Sequence, residues 1–294
     1  MDSEEVLNLF RKINQHGDAG GRSPHKPLLV LMALARLRAT GSSELLFADI
    51  EKPLKALIEE YRPPRKTPVQ PANPFTRLES NVWHLSDPVA KDAAVELRQK
   101  HVSGKFLPEI EAALKSDSRL AERLARMLVD REFADTQMQD VLIAAGLGDI
   151  SVAGSNDDFD DKRRRSSTWP ATVLVAWNKT CAFCGYSGML GSATVGLEAA
   201  HVRWFKKGGP DELDNGLALC SLDHKLLDTG ALGLTSDYRI KVARDFTGVA
   251  TAGERVISLH GKRLVEPKPG TPLPNPFHIT WHDDQVFKAP ALTE

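Results

Sequence analysis

Along the first half of the chain the spacing of apolar and polar positions predicts a run of helices. Val6, Leu7, Leu9, Phe10 and Ile13 fall at helical spacing, so residues 4–14 form an amphipathic helix. A polar, glycine-rich break, HGDAGGRSPHKP, follows. Ser23 and Pro24 read as a helix start leading into the run Leu28 to Leu37, which is apolar nearly all round and marks a buried central helix. Phe47 to Tyr61 predicts a third helix, with Asp49 as its cap and Leu54, Leu57 and Ile58 on one face. In RPPRKTPVQPANP the prolines exclude a helix and predict extended chain. FTRLESNVWHLS then alternates around Ser80-Asn81 as a β-hairpin does. Helical spacing returns at 88–100, 108–115, 117–131 and 136–145.

Residues 151–167 lack apolar periodicity and carry an acidic run followed by a basic one, the composition of a linker. Pro170 to Asn178 predicts a short helix, followed by the knuckle CAFC. Val195 to His201 and Leu217 to Cys220 read as two strands, and a short helix begins at Ser221 or Leu222. LGLT, RIKVA and RVISLHG predict short β segments, and HITWHDDQVF a strand running into one helical turn. The expected fold class is α+β. A mostly helical domain with a small β-hairpin spans 1–150, a linker 151–167, and a mixed domain 168–294.

Composition adds limits. A chain of 294 residues is long enough for two cores, and 41% hydrophobic with 26% charged residues is the balance of a soluble globular protein. No apolar run approaches the ~20 residues that span a bilayer. The acidic, amphipathic N-terminus lacks the basic start and apolar centre of a signal peptide, so a cytoplasmic protein without a membrane partner is expected. A net charge of −1 gives no overall attraction to nucleic acid. Any phosphate contact would rest on local clusters: Arg62, Arg65 and Lys66; Lys162 to Arg165; Arg203, Lys206 and Lys207. Each cluster taken alone equally reads as solvated surface.

The candidate chemistry lies in the second half. Three cysteines, two of them spaced Cys-x-x-Cys, point to a metal rather than a disulfide framework. Cys181, Cys184 and Cys220 supply three thiolate ligands for a structural zinc ion. The fourth position by spacing is Asp223; His224 is the alternative, which would remove it from catalysis. Buried apolar cysteines are the reading without metal. His201 ends one strand, Asn215 precedes the next, and His224 falls in the helix, which is the order of a ββα-metal finger. Phosphodiester hydrolysis needs a base near neutral pKa, a divalent cation and a group that fixes geometry. His201 is assigned as general base, His224 as ligand of a catalytic Mg²⁺ or Mn²⁺, and Asn215 as the orienting or metal-facing group. At the other end, His25 and Lys26 open a helix where free N–H groups favour an anion.

The run LEAAHV…GGPDELDNGLALCSLDHKLLDTG resembles the HNH endonucleases, with His201, Asn215 and His224 at the three signature positions. WHDDQVF is similar to the end of one restriction-type branch of that family. The chain departs from it twice. Ala200 stands where many HNH sites carry an aspartate ligand, so the cation has fewer protein ligands or Glu198 or Asp228 contributes. Asp223 stands where a zinc-binding Cys or His is usual.

GRSPHKPLLVLMAL, NPFTRLESNVWHL and HVSGKFLPEIEAAL resemble the sulfur-binding domain of phosphorothioate-dependent restriction endonucleases, over roughly residues 1–150. Sulfur is larger and softer than the oxygen it replaces, so a pocket selects it with apolar, polarisable walls beside cations. Pro74, Phe75 and the His25 ring would make that wall. Arg22, Lys26 and Arg77 would hold the remaining phosphate charge. Asn73 stands where the family often has an aromatic residue. Without a pocket, Pro74 and Phe75 read as a strand start and His25-Lys26 as a helix start.

The expectation is a type IV-like, modification-dependent restriction endonuclease. It binds phosphorothioated double-stranded DNA and cuts at some distance from the sulfur, as a homodimer. The rivals are an HNH nuclease that reads another modification or plain sequence, and an inactive zinc-dependent DNA-binding protein.

Overall fold

The structure, a computed structural model, describes residues 1–13, 23–152 and 166–293. The chain divides into two compact units, Met1–Phe159 and Asp160–Glu294. Among the described residues no helix is long and apolar enough to cross a membrane.

The first unit opens with α1 (Ser3–Arg11), set by a capping box in which Asp2 accepts from the Glu5 amide and Glu5 accepts from the Asp2 amide. Helix α2 (His25–Thr40) is the centre of the unit. Leu28, Leu29, Val30, Leu31, Ala33 and Leu34 have no exposed surface, and each large one contributes about 1.5–3 kcal/mol by burial. The remaining elements are β1 (Leu45–Leu46), α3 (Phe47–Tyr61), α4 (Ala72–Arg77), β2 (Trp83–Leu85), α5 (Ala94–Gln99), β3 (Ser103–Phe106), α6 (Pro108–Ser116), α7 (Ser118–Glu132) and α8 (Met138–Ala144). The antiparallel sheet has order β1-β3-β2, with Leu45 opposite Gly104 and Trp83 opposite Phe106. Phe47, Phe75, Trp83, Phe106 and Phe10 form a chain of edge-on ring contacts through this core.

Three local expectations are corrected. Asp49 does not cap α3: the helix starts at Phe47 and Leu46 caps it without a side-chain bond, leaving Asp49 in the first turn, where its charge complements the helix dipole. The stretch ending in Pro74 is not extended throughout, because Asn73 and Pro74 lie inside α4. Amides of a first helical turn have no partner within the helix, so Pro71 and Pro74 fit there without loss. Residues 75–86 therefore do not fold back on themselves; Trp83–Leu85 pairs with Ser103–Phe106 instead.

The second unit contains α9 (Trp169–Ala176), β4 (Met189–Leu190), β5 (Ala193–Thr194), β6 (Leu197–His201), β7 (Gly216–Cys220), α10 (Ser221–Thr229), β8 (Leu232–Leu234), β9 (Ile240–Val242), α11 (Ala250–Ile257) and α12 (Pro276–Gln285). Among the described residues its strands form three antiparallel pairs, β4-β5, β6-β7 and β8-β9. RVISLHG, expected as a strand, supplies the end of α11 and the turn after it. HITWHDDQVF, also expected to begin as a strand, lies largely in α12. Short runs of mixed polarity fit either period, and here the cap decides: Asn275 accepts from the Phe277 amide at 3.0 Å and Pro276 opens the helix. His278, Ile279, Trp281 and His282 then share one buried face.

Candidate active site and nucleic-acid interface

Strands β6 and β7 pair with His201 opposite Gly216 and Leu197 opposite Cys220, and α10 follows directly. His201 ends β6. Its Nε2 lies 2.8 Å from Asp211 Oδ1, and the Trp169 indole stacks on its ring with centroids 3.8 Å apart. The other oxygen of Asp211 accepts from the Ser166 amide at 2.6 Å. Ser166 Oγ in turn accepts from the Trp169 amide at 3.2 Å, at the start of α9.

Asn215 has no exposed surface. Its Oδ1 accepts from the Arg203 amide at 2.8 Å, and its Nδ2 donates to the carbonyls of Arg203 and Pro210, each at 3.0 Å. Both ends of the side-chain amide are thus engaged in the loop that leaves His201. The turn demands glycine: Gly208 has φ +85, and a Cβ on Gly209 would lie 1.7 Å from the Arg203 carbonyl oxygen.

His224 sits in the first half of α10. Its Nδ1 lies 2.7 Å from Glu198 Oε2 and its Nε2 3.4 Å from Asp228 Oδ2. Glu198 Oε1 accepts from Ser221 Oγ at 2.6 Å. The hydrogen bond with His224 holds the Glu198 carboxyl below its ordinary range, against an opposing effect of burial. Ala200 is buried and its methyl group carries no donor atom, so position 200 offers no ligand. Sequence reasoning singled out neither Asp211 nor Trp169. The acid directly after the Gly-Gly-Pro turn was the available signal for the first.

The cysteines converge. Sγ atoms of Cys184 and Cys220 are 3.8 Å apart, and Cys181 Sγ is 3.3 Å from Asp223 Oδ2. All four ligand atoms of Cys181, Cys184, Cys220 and Asp223 lie within 4.8 Å of one another. Tetrahedral zinc with bonds of ~2.3 Å would hold two sulfurs ~3.8 Å apart, so the donor set fits that ion. Four such donors at this spacing could hold a cation. Hydrogen bonds with Cys184 and Cys220 push the Cys181 thiol up, bonding to its neighbours drops Cys220 to about 3, and burial raises the Asp223 carboxyl. Arg255 Nη2, 2.9 Å from Asp223 Oδ1, orients the carboxylate. Arg255 escaped sequence reasoning because its segment read as a strand. His224 bonds elsewhere and is not the fourth donor of this cluster.

In the first unit, a cavity of about 420 Å³ is lined by His25, Lys26, Asn73, Thr76, Arg77 and Glu79, among others. Helix α4 explains the sorting: Ala72 and Phe75 turn to the core, while Asn73, Thr76 and Arg77 share the opposite face. Phe75 has no exposed surface and Pro74 is buried, so neither lines this cavity as expected of a sulfur wall. Lys26 Nζ is 2.6 Å from Glu79 Oε1, and Arg77 grips Asp92 through two bonds of 2.8 and 2.5 Å. Burial, helped by the Arg62 charge, pushes the His25 pKa down to about 4, which leaves a neutral ring near pH 7. Arg22 and Lys162 to Arg165 lie outside the described residues.

Residues 3–150 match the family described as ScoMcrA-like, DNA sulfur-binding domain, and residues 181–235 match an HNH endonuclease family, HNH_2. No curated protein matches this chain significantly. Among solved structures, the sulfur-binding domain of SprMcrA complexed with phosphorothioated DNA is similar at 21% identity and a TM-score of 0.42, over 51% of this chain and 98% of that one. The modification-dependent TagI restriction endonuclease is similar at 27% identity and a TM-score of 0.33, over 42% of this chain and 38% of that one. With half of its length matched by the first family, the chain belongs to the ScoMcrA-like DNA sulfur-binding domain family and carries an HNH endonuclease domain after that domain.

Proposed function

We propose that this protein is a modification-dependent, type IV-like restriction endonuclease. It binds phosphorothioated double-stranded DNA through residues 1–150 and hydrolyses a nearby phosphodiester through residues 168–294, with 151–167 as the linker. One observation carries the reading: a sulfur-binding family match over half the chain precedes a ββα unit that holds His201, Asn215 and His224.

His201 is the general base. A carboxylate only accepts, so Asp211 takes the Nε2–H and fixes the tautomer, which makes Nδ1 the basic nitrogen for the proton of the attacking water. Trp169 stacks on the ring and restricts its rotation. Asn215 holds the loop after His201 and serves as the orienting group. A divalent cation, Mg²⁺ or Mn²⁺, supplies charge neutralisation at the scissile phosphate when bound, with His224 as its ligand. The Cys181, Cys184, Cys220 and Asp223 cluster holds a structural zinc ion and pins the knuckle to the start of α10. In the first unit the neutral His25 ring is the polarisable wall for sulfur, beside Asn73, while Lys26 and Arg77 exchange their Glu79 and Asp92 partners for the phosphate charge. Cutting at a distance from the sulfur follows from the linker. Cleavage of both strands by one site per chain calls for a homodimer.

Matched duplexes with and without one phosphorothioate test the reading, first for electrophoretic binding and then for cleavage with Mn²⁺. Sulfur-dependent binding and cleavage, lost in His201→Ala, are the expected results. Equal affinity for both duplexes would refute sulfur recognition. The buried Ala200 favours one rival, a zinc-dependent DNA-binding protein without activity; intact modified DNA with both wild type and His201→Ala would establish it.

A further inference from the structure

The helix histidine of the nuclease unit stands between two carboxylates whose surroundings differ. Glu198, two residues before the buried Ala200 on the same strand, has a side chain 45% exposed; that of Asp228, one turn beyond His224 on α10, is 5% exposed. A cation that must also meet a phosphate and water needs a solvent-facing donor, and only Glu198 of the two has that exposure. Its Oε2 lies 2.7 Å from His224 Nδ1. An octahedral cation with bonds of ~2.1 Å sets neighbouring donors ~3.0 Å apart, so this pair needs to open by only a few tenths of an ångström to hold one. Ser221 donates to the other oxygen of Glu198 and so turns Oε2 toward the imidazole. On the far side of the ring, Asp228 faces Nε2, the position in which a buried carboxylate accepts the remaining N–H of a metal-bound histidine.

From this arrangement, and resting on the nuclease reading above, we infer that Glu198 Oε2 and His224 Nδ1 are the protein ligands of the catalytic divalent cation, Glu198 replacing the carboxylate that Ala200 lacks. Asp228 is a positioning residue that fixes the His224 tautomer. The donor set is one carboxylate, one imidazole and open positions, which suits Mg²⁺ or Mn²⁺ and differs from the thiolate cluster nearby.

The test is equilibrium Mn²⁺ binding by the zinc-loaded full chain, read by calorimetry and by electron paramagnetic resonance. Glu198→Gln weakens binding by at least ~10-fold, Glu198→Asp by an intermediate amount, and Asp228→Asn by ~10-fold through loss of orientation. Zinc content and binding to phosphorothioated duplex stay unchanged in all three, which separates loss of the ligand from loss of the fold. Raising Mn²⁺ restores cleavage by Asp228→Asn. Wild-type affinity in both Glu198 variants overturns the inference alone. A wild-type chain that binds no Mn²⁺ and leaves modified DNA intact overturns the nuclease reading and this inference with it.

Discussion

Asn215→Ala removes the bonds that shape the loop behind His201, and its cost follows from the structure. Three hydrogen bonds made by a side chain without solvent exposure disappear, so the Arg203 amide and the carbonyls of Arg203 and Pro210, all half-buried, each lose this bond. Unpaired buried polar groups cost about 1–3 kcal/mol each. Partial relaxation of the loop brings the total to about 4 kcal/mol, a large share of the 5–15 kcal/mol that typically stabilises a domain. Urea unfolding followed by tryptophan fluorescence reads it directly, because Trp169, Trp177, Trp204 and Trp281 lie in the second unit and only Trp83 in the first. With a slope of about 2 kcal/mol/M, the second-unit midpoint falls by about 2 M. Asn215→Asp keeps the acceptor for the Arg203 amide but turns an acceptor toward two carbonyls, so it loses at least as much. Cleavage falls with the loop, while binding of modified duplex by the first unit persists. A midpoint shift below about 0.5 M, or full cleavage by Asn215→Ala, would show that the side chain neither holds the loop nor positions the base.

Other substitutions probe separate links. Asp211→Asn places a donor opposite Nε2 and reverses the favoured tautomer, so single-turnover cleavage drops by at least ~100-fold and its pH profile moves; an unchanged profile would remove Asp211 from the machinery. The depressed His25 pKa makes a signed prediction. The unfolded chain binds the proton first, near pH 6.5, so the contribution is complete above that and lost as pH falls toward about 4. The loss is at most about 3 kcal/mol. Thermal melting of wild type and His25→Gln against pH measures it, and parallel curves would refute it. Cys181→Ser abolishes stoichiometric zinc by metal analysis and lowers the second-unit melting temperature while leaving sulfur-dependent binding intact; retained zinc would mean that the cluster is not its site.

Periodicity was enough for the long helices, whose apolar faces are continuous, and for the strand–strand–helix order around His201, Asn215 and His224. It failed where the deciding interaction was not periodic. Pro74 looked incompatible with a helix until the unpaired amides of a first turn made room for it, and that turn, by sending Phe75 inward, sorted the cavity lining. Residues around Arg255 and His278 read as strands because short mixed runs fit both periods. Asp211 and Trp169 meet His201 only through the fold, from opposite sides of it in the chain, so no spacing rule joins them.

Ser166 bears on how such enzymes can be cut and rejoined. Its amide binds the carboxylate that faces His201, and its hydroxyl accepts from the amide of Trp169, the helix's first residue, which stacks on the same ring. A nuclease module excised at residue 168 would look whole by its secondary structure yet lose the bonds that hold Asp211 and the start of α9 beside His201. Grafting this cutter onto a different DNA reader therefore calls for a junction upstream of Ser166. A fusion made two residues later is expected to bind metal normally and to turn over slowly.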